Sequence, residues 1–142
     1  MTLAAAPDAL QGAVAAGILG CGSVILGASE SAGRLFAEIH GAMESQGLAL
    51  DAAAEQAVRA LRAQGRAVPG YGHPLHKARD PRVARLFAVA AAAGTPGHYV
   101  EIAEAVERVL PTVTGRELRL NVSAAIPAVL LDVGFPLAGL KG

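Results

Sequence analysis

Apolar residues in this chain recur near the 3.6-residue helical period, and glycine, proline and small polar residues cut them into segments. Leu35, Phe36, Ile39 and Met43 form one such stripe and predict a helix from about Val24 to Ser45, stopped by Gly47. Ahead of it, Pro7-Asp8 opens a helix to about Ile18 or Leu19. Gly20-Cys21-Gly22-Ser23 separates the two, with Ser23 able to cap the second. Asp51 is expected to cap a third helix, from Ala52 to about Gln64, with Val58 and Leu61 inward and Gly65 as its stop. A fourth helix starts at Asp80, as N-cap, with Pro81 at its first position, and continues to about Ala93 with Val83, Leu86, Phe87 and Ala90 on one face. After the turn Gly94-Thr95-Pro96-Gly97, a fifth covers roughly His98 to Leu110, with Val100, Ala103, Val106 and Leu110 at core spacing. Pro111 to Arg119 reads as irregular, with a brief extended piece at Leu118 to Leu120. A last helix runs from about Val122 to Val133, where Gly134 ends it and Pro136 prevents continuation.

Composition supports an all-α, multi-helical fold. The 142 residues are enough for one domain with a modest core, and the 53% hydrophobic content is largely alanine, without the β-branched and aromatic runs of a large sheet. Twelve basic and twelve acidic residues balance, so no nucleic-acid footprint is expected. The stretch Ala9 to Ser29 is uncharged and long enough to span a bilayer, but its clustered glycines favour a break between two helices over a membrane span. One cysteine, Cys21, and the lack of a signal-like leader suit a cytoplasmic protein. At the ends, Leu3 to Leu10 and Phe135, Leu137 and Leu140 are apolar with little sequence to pack against. They read as faces of a larger helical body, or as surfaces that a homodimer covers.

The densest polar chemistry lies between Gly70 and Arg82. Glycines around Tyr71 allow close backbone approach to a ligand. His73, in an irregular loop, can exchange a proton near neutral pH. Lys77 and Arg79 add positive charge, and Arg82 falls in the first turn of a helix, where free backbone N–H groups favour anions. A carboxylate- or phosphate-bearing ligand suits this set. His73 and His76 could be read as a metal pair, but no cysteine is near and the cations would repel a metal, so none is expected. His40 and His98 read as structural and Asn121 and Ser123 as caps. Glu30 reads as a surface carboxylate or a support for the site. Asp132 stands at the unfavourable dipole end of its helix, where a base from elsewhere could pair with it.

Val68-Pro69-Gly70-Tyr71-Gly72-His73, with Asp80-Pro81-Arg82 downstream, resembles the citrate synthase superfamily, closest to its citryl-CoA lyase-like branch. Gly20-Cys21-Gly22-Ser23 with Gly27-Ala28-Ser29-Glu30, Asn121-Val122-Ser123, and Leu131-Asp132-Val133-Gly134-Phe135-Pro136 also fit, so the likeness covers nearly the whole chain. It implies a small domain at 20–125, a remnant of a large-domain helix at 1–19, and the start of the return to the large domain at 126–142. It further implies condensation of acetyl-CoA with oxaloacetate, or carbon–carbon cleavage of citryl-CoA, at a site between domains. On that reading His73 is the catalytic acid at the ketone or hydroxyl oxygen and also binds substrate, Arg82 clamps a substrate carboxylate, Val68, Pro69, Gly70, Tyr71 and Gly72 hold the CoA adenine, and Lys77 lies near a CoA phosphate. Coenzyme A thioester enters as substrate, and no permanently bound cofactor is implied. The partners implied are an acyl-CoA, an oxo-dicarboxylate, and a second copy or a large-domain polypeptide. The family's enolising histidine and aspartate fall near Ile25 and at Ser123. Neither residue can abstract the α-proton, which requires a group titrating near the working pH. A binding module without catalysis, or a truncated inactive paralogue, is the alternative.

Overall fold

A computed structural model of the chain describes residues 7–20, 23–72 and 80–140, the side chains of residues 20 and 23–26 excepted. The fold is all-α. Its elements are α1 (Leu10–Gly20), α2 (Ser23–Gln46), α3 (Leu50–Ala63), α4 (Pro81–Ala92), α5 (His98–Thr114), α6 (Val122–Asp132) and a short 3-10 turn at Leu137–Gly139. Among the described residues no helix is long and apolar enough to cross a membrane. Of the uncharged stretch at 9–29, residues 10–20 are helical in α1 and 23–29 in α2; the break expected between them falls at residues 21 and 22, outside the described residues.

Helix α5 is the centre of the body and packs on α2, α3 and α6, while α4 rests on α6. The predicted stripe of α5 is buried at Ala103, Val106 and Leu110, but Ile102, Ala105 and Val109 are buried too, because neighbours enclose this helix on several sides. Phe36 and Ile39 of α2, Val58 of α3 and Val83 of α4 complete the interior. Each such side chain contributes about 1.5–3 kcal/mol on burial.

Three expectations change. Helix α5 continues one turn past Pro111 to Thr114. The turn holds because the Thr114 hydroxyl donates to the Leu110 carbonyl at 2.8 Å, the Gly115 amide donates to the Pro111 carbonyl at 2.9 Å, and Val113 packs on the core. Asp51 is not a cap: Ala49 occupies that position, and Asp51 lies in the first turn of α3, paired with Arg108 of α5 at 2.7 Å. Beyond Gly134, Leu140 finds packing partners, whereas Phe135 stays 41% exposed as expected. The chain folds back so that Leu140 is buried against α2, where Gly33 leaves room: a Cβ there would collide with Leu140 Cδ1. At the other end, α1 does carry exposed apolar side chains, with Leu10, Val14, Ile18 and Leu19 all more than half exposed.

Candidate functional site

The start of α6 is the hub around which the candidate residues are arranged. Tyr71 and Leu120 form an isolated antiparallel bridge, which realises the short extended piece expected at 118–120. Gly72 N donates to the Arg119 carbonyl at 2.7 Å and Asn121 N to the Gly70 carbonyl at 3.0 Å. Asn121 then does two things. Its Oδ1 caps α6 by accepting from Ser123 N at 2.9 Å, and its Nδ2 donates to the Gly72 carbonyl at 2.7 Å. Gly70 has φ +84°, and a Cβ on it would come within 2.5 Å of the Ala124 Cβ. Its missing side chain therefore lets the loop lie against α6. The Tyr71 ring is buried and its hydroxyl donates to the Ala103 carbonyl at 2.7 Å; burial pushes the phenol well above its ordinary range. The tyrosine is thus a bolt between the loop and α5.

On the other side of the hub, Asp80 caps α4 as expected, accepting from Arg82 N at 3.0 Å, with Pro81 in the first turn. Its carboxylate is 2% exposed yet ionised. Oδ1 accepts from Arg82 Nε at 3.0 Å; Oδ2 accepts from Nε at 3.2 Å, from Nη2 at 2.8 Å and from Val122 N at 3.3 Å. The Arg82 side chain is chiefly what holds the carboxyl well below the usual carboxylate range, against the opposing effect of burial. The Arg82 side chain itself remains 55% exposed.

Two cavities flank this arrangement. One, about 550 Å³, is an open groove between α4 and α6 lined by Leu86, Val89, Val122 and Ile126 and by the arginines 82 and 85. The other, about 260 Å³, lies beside the loop and is lined by Arg62, Val68, Tyr71, Thr114, Arg116 and Leu118. Val68 and Tyr71, two of the residues expected to hold CoA, thus border a cavity with two cations. Arg62, in the last turn of α3, and Arg116, four residues before Leu120, carry no motif, so sequence reasoning passed over them. Pro69 and Gly72 are half-buried within the same segment.

His73, His76, Lys77 and Arg79 lie outside the described residues, as do Cys21, Gly22 and the side chain of Ile25. Ser123 is half-buried in the first turn of α6. Glu30 forms an ion pair with Arg34 at 2.7 Å, among other interactions. His40 stacks on Tyr99 with ring centroids 5.3 Å apart. Asp132 pairs with backbone amides, not with a basic side chain: its carboxylate accepts from Tyr99 N at 2.8 Å and Val100 N at 3.2 Å and so caps α5 from another helix. The end of α6 that is unfavourable for a carboxylate thus lies against the favourable end of α5. Among the described residues no cluster suited to a metal ion is present.

Comparison with known proteins places this geometry. The profile of the family "Citrate synthase, C-terminal domain" matches residues 2–139. The structure of citryl-CoA lyase from Hydrogenobacter thermophilus is similar with a TM-score of 0.78 and 33% identity, over 95% of this chain and 50% of that one. ATP citrate lyase from Methanothrix soehngenii, solved in complex with citrate and coenzyme A, is similar with a TM-score of 0.70 and 29% identity, over 93% of this chain and 20% of that one. No curated protein sequence matches significantly. The chain spans about half the length of the citryl-CoA lyase it matches. The match over almost all of its residues, together with the shared all-α architecture, makes this chain a member of the citrate synthase family.

Proposed function

We propose that this chain acts on a coenzyme A thioester and a 2-oxo dicarboxylate, cleaving citryl-CoA or condensing acetyl-CoA with oxaloacetate. The observation that carries the reading is Arg82, held in the first turn of α4 beside the start of α6, half-exposed and bordering an open groove. A guanidinium so fixed is suited to a substrate carboxylate. The cavity bordered by Val68, Tyr71, Arg62 and Arg116 offers apolar surface for an adenine ring and cations for phosphate, in keeping with the CoA role expected of residues 68–72 and Lys77. In the cleavage direction His73 takes the hydroxyl proton of the citryl group. The carbon–carbon bond then breaks, its electrons pass to the acetyl α-carbon, and a proton added there gives acetyl-CoA and oxaloacetate. Completion of the site by a second copy or a large-domain polypeptide belongs to the same proposal.

A specific observation favours a second reading, binding without turnover. Ser123 stands in the first turn of α6, where the family resemblance expects an aspartate, and no carboxylate lines the described groove. The test is to incubate the protein with citryl-CoA, or with acetyl-CoA and oxaloacetate, and to measure oxaloacetate and free thiol. Turnover lost in His73→Ala and Arg82→Ala supports the enzyme. CoA binding without turnover, even with a large-domain partner added, selects the binding module, and neither binding nor turnover rejects both.

A further inference from the structure

Arg82 has five N–H donors in a planar fork with two usable edges, one formed by Nε and Nη2 and the other by Nη1 and Nη2. Asp80 occupies the first edge completely, through three contacts of 2.8–3.2 Å. Among the described residues Nη1 has no hydrogen-bond partner, and the side chain borders the groove beside Val122 and Ile126. The same carboxylate is anchored from behind by two backbone amides, Arg82 N and Val122 N, and is itself shielded from water. It therefore cannot move with the guanidinium if the arginine swings away.

We propose that Asp80 is a positioning residue that grips Arg82 by its Nε–Nη2 edge, so that the guanidinium meets a substrate carboxylate end-on, through Nη1 and Nη2 alone. The proposal rests on the reading of Arg82 as a carboxylate-binding residue and adds the edge it uses and the group that sets it. The geometry has two consequences. The arginine's side-chain freedom is lost on folding instead of on binding, which favours affinity. The adjacent negative charge offsets part of the arginine's own, so recognition depends on the match of two parallel N–H bonds to a planar carboxylate more than on net charge.

The experiment is nitrogen-detected NMR of arginine side chains in the full chain, with Arg82→Lys used only to assign the Arg82 signals. Without ligand, the Arg82 Nε–H is expected to exchange with water several-fold more slowly than that of exposed Arg85, and this slowing is lost in Asp80→Asn. On addition of citrate or oxaloacetate, the Nη signals of Arg82 shift while its Nε–H signal stays in place. An Nε–H that exchanges as fast as that of Arg85, or that shifts together with Nη on citrate addition, overturns the positioning role and leaves Arg82 as a ligand-binding residue. If citrate and oxaloacetate move no Arg82 signal at all, the substrate reading falls and this proposal with it.

Discussion

Asp80 unites three tasks that a sequence presents separately: helix cap, counter-ion and tether. The cap was legible, because Asp-Pro before an apolar stripe is a helix start. The ion pair was not. Residues two apart on a helix do not face each other, and only because Asp80 stands outside the helix can its side chain turn back onto Arg82. The third contact, to Val122 N, joins positions 42 residues apart and no local pattern signals it. Asp132 escaped for the same reason: its partners lie on another helix, and what looked unfavourable within α6 is favourable at the start of α5. The Asp80 pair also makes stability depend on pH. Its folded-state carboxyl lies below the unfolded value of about 3.9, so its stabilisation is complete above about pH 5 and is lost as pH falls toward the folded-state value. Thermal melts of wild type and Asp80→Asn between about pH 2.5 and 7 are expected to differ most near neutrality and to converge on acidification. A gap that stays constant over that range would count against this assignment.

At the scale of elements, apolar periodicity located the helices well and their ends less well. Pro111 was the misleading residue. Proline removes one backbone donor, but the turn after it is held by a side-chain hydroxyl, a neighbouring glycine and core contact, none of which local propensity weighs. Periodicity also gave α5 one buried face where tertiary neighbours bury more, since a stripe records contrast and a centrally enclosed helix has little of it. The glycines of the 68–72 loop were legible as sites of close approach, although what approaches Gly70 in the structure is α6. Gly70→Ala combines a left-handed backbone with a collision at Ala124 and is expected to cost about 2–4 kcal/mol in denaturant unfolding. Gly134→Ala, also at positive φ but with open space around its Cβ, is expected to cost only about 1 kcal/mol. Equal losses at the two positions would mean that the loop does not lean on α6 as described.

For the molecule as a whole, the resemblance read from the 68–82 segment and the family match agree on the citrate synthase family, and the all-α architecture agrees with both. What the sequence could not convey is that Gly72 and Asp80, both within that segment, are fastened to the start of α6, through Asn121 and Val122. Nor could it show that Arg62 and Arg116, far apart in the chain, share a cavity with Val68 and Tyr71, since the pairing of residues 70–72 with 119–121 and the packing of α3 on α5 bring them together. The central proposal is that this chain holds coenzyme A there. Calorimetric titration of the full chain with coenzyme A tests it most directly. Saturable binding is expected, weakened about tenfold by Arg116→Ala through loss of a charge-assisted contact and unchanged by Arg59→Ala, which removes an ion pair on the outer surface of α3. No saturable binding, or equal affinity in wild type and Arg116→Ala, would contradict the account.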